Sequence, residues 1–130
     1  MKIWVDDIRT PPDYAEGKNW ETSLWYWCLT SEQAIDFLEK CKTTNTVPKV
    51  MSLDHDLGGD DTSRAIVLWC CENDFWPVEV VVHSANPVGI EWLEGMISRY
   101  HPDNAWKYRS TGTGGYVFSD CTEIPERYRK

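Results

Sequence analysis

The chain has 130 residues and a mass of 15.1 kDa, the usual size for one domain around one core, so 1–130 reads as a single domain. Apolar residues make up 42% and charged residues 26%, which excludes a disordered chain, a collagen-like chain and a disulfide-stapled miniprotein. Lys plus Arg number 13 against 21 Asp plus Glu, a formal charge of −8, so the surface repels polyanions and duplex DNA is not an expected partner.

The first apolar run, Lys2 to Asp6, reads as a strand cut short by Asp6-Asp7 and then by Arg9-Thr-Pro-Pro12. These acids also interrupt the N-terminal region before a signal-peptide core develops, and no run approaches a membrane span, so a soluble cytoplasmic protein is expected. A loop carrying Trp20 leads to Leu24–Leu29, an aromatic strand. Thr30 and Gln33 form a capping box for a helix whose apolar face is Ala34, Ile35, Leu38 and Cys41. Val50–Leu53 is a third strand ending at Asp54-His55-Asp56, with Gly58-Gly59 turning out of it. Thr62 or Ser63 caps a second helix bearing Ile66, Trp69 and Cys70. Val78–Val82 is a fourth strand ending at His83-Ser84. Asn86-Pro87 opens a third helix with Leu93, Met96, Ile97 and Tyr100 on one face. Trp106–Arg109 reads as a fifth strand, Gly112–Gly115 as a hairpin turn, Tyr116–Phe118 as a further strand, and 126–130 as a charged tail.

Strands alternating with helices imply an α/β fold: a doubly wound parallel sheet in three layers. The five cysteines include no C-x-x-C pair and are expected as reduced thiols, most of them in the core. Trp4, Trp25, Trp27 and Trp69 fall in regular elements and read as packing, whereas Trp20 lies on the expected site edge, where a base can stack.

Three strands end in functional residues, and in a parallel sheet those ends share one edge. Carboxylates about 4 Å apart repel by roughly 4 kcal/mol at an effective dielectric near 20, so a cluster of them demands a counter-charge. Either some carboxyls stay protonated or a divalent cation sits among them, and an oxygen-rich site favours Mg²⁺, or Mn²⁺, on Asp6 or Asp7 and Asp54. The plainer alternative is that each acid caps its own turn. His55 and His83 add a general acid and a general base suited to a phosphodiester, while His101 reads as a surface-loop residue. Arg9 is either a phosphate clamp or the partner of Asp7. Ser84 can donate to a phosphate oxygen, Asn86 caps its helix in preference to binding phosphate, and Asp60 and Asp61 read as solvated loop charge.

The strings Val5-Asp-Asp-Ile-Arg9, Ser52-Leu-Asp-His-Asp-Leu-Gly58 and Val82-His-Ser-Ala-Asn-Pro-Val-Gly89 resemble the cyclic-phosphate processing receiver-like family, a relative of response-regulator receivers associated with conflict and phage-encoded systems. The resemblance spans residues 2 to about 100 and implies a flavodoxin-like fold of about five strands. It implies a metal-dependent phosphoesterase acting on a cyclic nucleotide or an RNA 2′,3′-cyclic phosphate. Asp6, Asp7, Asp54 and Asp56 are then metal or phosphate ligands, and His55 and His83 the acid and base. Ile90 stands where the family pattern favours Arg, and no Lys-Pro pair follows the fifth strand, where Lys107 precedes Tyr108. The rival readings are a module that holds a cyclic nucleotide or a protein partner without chemistry, and a receiver phosphorylated on Asp54.

Overall fold

The structure is a computed structural model and describes residues 1–12 and 25–102, together with the backbone of 108–109. Among the described residues, five strands and three helices follow in the order β1 (Lys2–Val5), β2 (Trp25–Cys28), α1 (Ser31–Thr43), β3 (Val50–Leu53), α2 (Arg64–Asn73), β4 (Glu79–Val82), α3 (Pro87–Tyr100) and β5 (Tyr108–Arg109). All pairings are parallel and the spatial order is β2-β1-β3-β4-β5, as in a flavodoxin-like sheet. That order reverses direction between β1 and β3, which makes the carboxyl ends of those two strands the switch point where such sheets bind ligands.

The local signals mostly build what they encode. Thr30 Oγ1 accepts from the Gln33 amide at 3.1 Å, while the Gln33 side chain reaches back to the Leu29 amide at 2.8 Å, one residue earlier than an ideal capping box. Asn86 caps α3 through Gly89, with Pro87 at the first helical position. Ser63 is the N-cap of α2, yet its hydroxyl donates to the Asp54 carbonyl instead of an α2 amide. The strand-end loop has a stronger claim on that hydroxyl than the helix does.

One face of the sheet carries Ile3, Val5, Cys28, Met51, Leu53, Val80 and Val82, which merge with Ala34, Leu38, Ile66, Val67, Cys70, Leu93 and Ile97 of the helices. Alternate residues Trp4, Trp25, Val50 and Val81 form a separate cluster on the opposite face, as a period of two requires. No residue of α1, α2 or α3 belongs to that second cluster. On α3 the buried stripe is Gly89, Leu93 and Ile97, whereas Tyr100 is half exposed. His101 is buried and not a surface-loop residue: its Nε2–H donates to the Pro77 carbonyl at 2.8 Å, and its ring meets Trp76 edge-on. Cys28, Cys41 and Cys70 are buried free thiols and Cys71 is half-buried; burial pushes the Cys28 thiol up to about 12. Trp20, Lys107, Cys121, the Gly112–Gly115 turn and the Tyr116–Phe118 strand lie outside the described residues.

Candidate functional site

The register aligns Val5 with Cys28 and Leu53, and Leu53 with Val82, so the next residues Asp6, Asp54 and His83 stand in one row. Backbone bonds carry the ladder into that row: Asp6 N–H to Cys28 O at 3.1 Å, Asp54 N–H to Val5 O at 2.9 Å and His83 N–H to Leu53 O at 2.9 Å. Residues in a row share a face, and here it is the face of Trp4 and Val81. His83 accordingly stacks on Trp4 with ring centroids 3.8 Å apart. Its Nε2–H donates to Asp6 Oδ2 at 3.0 Å, and Ser52 Oγ lies 2.6 Å from Nδ1.

Asp6 is fully buried and held by four donors. Oδ1 accepts the amides of Ile8 and Arg9 at 2.8 Å each; Oδ2 faces His83 at 3.0 Å and Arg9 Nε at 3.3 Å. Burial alone pushes its pKa up, but the bonds from His83, Ile8 and Arg9 outweigh that and hold it below the usual carboxylate value. The His83 pKa is lowered, because burial disfavours the imidazolium more than Asp6 favours it. The pair is therefore a carboxylate supported by a neutral imidazole. Asp54 is different: burial and the neighbouring Asp6 charge push it up to about 6, against the opposing pulls of Arg9 and Ser84. Its Oδ1 lies 3.4 Å from Arg9 Nη2.

His55 is the next residue along, so it turns to the helix side. Arg64 Nε–H donates to its Nε2 at 2.9 Å, which leaves Nδ1–H to donate to Asp56 Oδ1 at 3.0 Å. The ring lies against α3 so closely that a Cβ on Gly89 would be 2.4 Å from its Cγ. Arg64 in turn covers the Trp92 ring at 4.9 Å. Asp56 is exposed, and its second oxygen accepts from Asn86 Nδ2 at 3.1 Å; these two bonds hold its pKa below the usual value.

A cleft of about 650 Å³ opens over this edge, lined by Asp7, Ile8, Arg9, Asp54, Asp56, Gly58, Gly59, Ser84, Ala85 and Asn86. Oxygens of Asp6, Asp7 and Asp54 lie within 4.8 Å of one another, Asp7 and Asp54 on the cleft lining and Asp6 buried behind it. Gly58, at φ +91°, leaves room for Asp7, whose Oδ2 would be 3.2 Å from a Cβ at that position. Several expectations are corrected by this geometry. Neither His55 nor His83 lines the cleft: both rings are buried, on opposite faces of the sheet, with both ring nitrogens of each engaged. Two imidazoles facing each other across a phosphate are thus not what this chain builds. Asp56 stands apart from the three-carboxylate cluster, on the cleft wall. Arg9 pairs with Asp6 and Asp54 instead of Asp7. Asn86 both caps α3 and orients Asp56.

Four supporting residues escaped the reading of the sequence. Ser52 and Trp4 hold His83, and Arg64 holds His55. Asp61, expected as solvated charge, ties its loop to α1 by accepting from Ser31 N at 2.9 Å and Ser31 Oγ at 2.5 Å. Parity along the strands is the available signal for Trp4 and Ser52, which stand two residues before the row members Asp6 and Asp54.

The profile of the cyclic-phosphate processing receiver domain matches residues 1–99. The chain belongs to that family. A solved structure described as a fusion carrying the yeast Spc42 trimeric coiled coil is similar to this receiver domain, with a TM-score of 0.55, 16% identity, and coverage of 98% of this chain and 76% of that one. At that identity the likeness concerns the fold alone. No curated protein matches the chain significantly. Among the described residues, no helix of this receiver domain is long and apolar enough to cross a membrane.

Proposed function

We propose that this domain is a metal-dependent phosphoesterase acting on a cyclic phosphate, either a cyclic nucleotide or an RNA 2′,3′-cyclic phosphate end. The observation that carries the reading is the cluster of Asp6, Asp7 and Asp54 carboxylates within 4.8 Å, two of which, Asp7 and Asp54, line an open cleft. The donor set fits Mg²⁺ or Mn²⁺: all oxygen, and next to a guanidinium that already stands in as a cation between Asp6 and Asp54. The chemistry such an ion supplies is Lewis-acid polarisation of a phosphoryl oxygen.

The chain's own groups have separable tasks in this reading. Arg9 and Ser84 bind the phosphate oxygens from the cleft wall. Asp56, fixed by His55 and Asn86, accepts a hydrogen bond from a sugar hydroxyl. His83 keeps Asp6 ionised and aimed, as a histidine behind a ligating carboxylate does. The test is incubation with 2′,3′- and 3′,5′-cyclic nucleotides and Mg²⁺ or Mn²⁺. Hydrolysis that Asp7→Asn and Asp54→Asn abolish is the expected result, and intact substrates throughout would overturn it.

A second reading is favoured by the burial of both imidazoles: a module that binds the cyclic phosphate without turning it over. It expects ligand recovered intact after denaturation, and thermal stabilisation without product.

A further inference from the structure

Arg9 has its backbone pinned and its side chain loosely held. The Arg9 amide donates to Asp6 Oδ1 at 2.8 Å and its carbonyl accepts from Trp4 Nε1 at 2.8 Å. The guanidinium sits 3.3 Å from Asp6 Oδ2 and 3.4 Å from Asp54 Oδ1, and the side chain is 34% exposed. Strong charge-assisted bonds are shorter, about 2.7–2.9 Å, so these pairs are electrostatic contacts without tight geometry.

Lone-pair accounting makes the contact exclusive. A carboxylate oxygen accepts about two donors. Asp6 Oδ1 is filled by two amides, and Oδ2 by His83 and Arg9. The one coordination position on Asp6 not taken by the fold itself is the one that Arg9 Nε occupies. A cation held by this cluster therefore competes with Arg9 for Asp6 Oδ2, and Arg9 Nη2 also approaches Asp54, another member of the cluster, at 3.4 Å. Among the described residues of the cluster, one guanidinium against three carboxylates also leaves a deficit matching one divalent ion.

We infer that Arg9 is a displaceable counter-ion: a divalent cation and the Arg9 guanidinium occupy the Asp6 and Asp54 oxygens in turn, and cation binding releases Arg9 to grip the phosphate. This rests on the cation reading above. The released side chain stays in the cleft beside Ser84 and Asn86, because its backbone is fixed. Cation and anion then bind with positive coupling, each raising the affinity of the other by the same factor.

The test measures binding, not turnover, with Mn²⁺ and inorganic phosphate as probes in calorimetric titrations. Arg9→Gln should bind Mn²⁺ about tenfold tighter than the wild type, since the competitor is gone, and Arg9→Lys should stay near the wild type. Mn²⁺ should tighten phosphate binding about tenfold more in the wild type than in Arg9→Gln, where only the direct contact of phosphate with the ion remains. Equal or weaker Mn²⁺ binding by Arg9→Gln overturns the exchange while leaving the cation site standing. No Mn²⁺ binding by any of these proteins overturns both. A readout without substitution is the Arg9 Nε–H resonance of the wild type: saturating Mg²⁺ should shift it, and an unmoved resonance overturns the exchange even if the variants fail to fold.

Discussion

Replacing Asp54 by asparagine removes a charge that the fold's own groups hold at a cost. Asp54 is 8% exposed, and its pKa is pushed from 3.8 to about 6 by burial and by Asp6. Each pKa unit corresponds to about 1.4 kcal/mol, so the ionised form costs the folded state at most about 3 kcal/mol relative to the protonated form. The folded chain binds more protons than the unfolded chain between pH 3.8 and about 6, so stability falls as pH rises through that window. Asparagine imitates the protonated carboxyl and has nothing to lose. In chelator at pH 8, Asp54→Asn should therefore be more stable than the wild type by about 2–3 kcal/mol in urea denaturation, or about 10 °C in Tm. At pH 4 the two should converge. Adding Mn²⁺ at pH 8 should raise the wild type more than the variant, because only the wild type keeps the third carboxylate. A variant no more stable than the wild type at pH 8 in chelator, with the same pH slope, would refute the reasoning.

Further expectations attach to single contacts. His83→Leu strips the buried Asp6 carboxylate of one donor and should cost about 3 kcal/mol or more in urea denaturation. Gly89→Ala drives a methyl into the His55 ring and should destabilise by about 1–3 kcal/mol. Gly95→Ala on the same helix meets nothing within 4 Å and should stabilise by up to about 1 kcal/mol, so opposite Tm shifts are the signature. Asp61→Ala loses both bonds to Ser31 and should cost about 1–2 kcal/mol, with faster amide exchange in the first turn of α1.

The strand ends were legible because each apolar run stops abruptly at charge, and a parallel sheet then collects those stops on one edge. The helix starts at Thr30 and Asn86-Pro87 were legible because capping is local chemistry within three residues. The faces taken by the histidines are not legible in the sequence, for a definite reason. Knowing that residues after three strands share an edge does not say which face each side chain takes. His83 is level with Asp54, whereas His55 is one residue further on, so a period of two sends them to opposite faces. Register was needed for that step, and register is a property of the pairing, not of either strand. Asp61 is beyond reach for a similar reason: its partner Ser31 is 30 residues away, at the start of α1.

Why the chain surrounds Asp6 with donors and leaves Asp54 poorly compensated follows from where the two sit. Asp6 is fully buried, so an unpaired charge there would cost several kcal/mol. The fold meets this with amides from its own loop and an imidazole stiffened by Ser52 and Trp4. Asp54 lines the cleft, where what enters from outside can supply the missing charge. Two aspartates in one row are thereby driven apart in pKa, one below its usual value and one to about 6. The split follows from the partners: the fold's own donors keep Asp6 ionised, whereas Asp54 is the carboxylate whose charge the fold leaves less compensated.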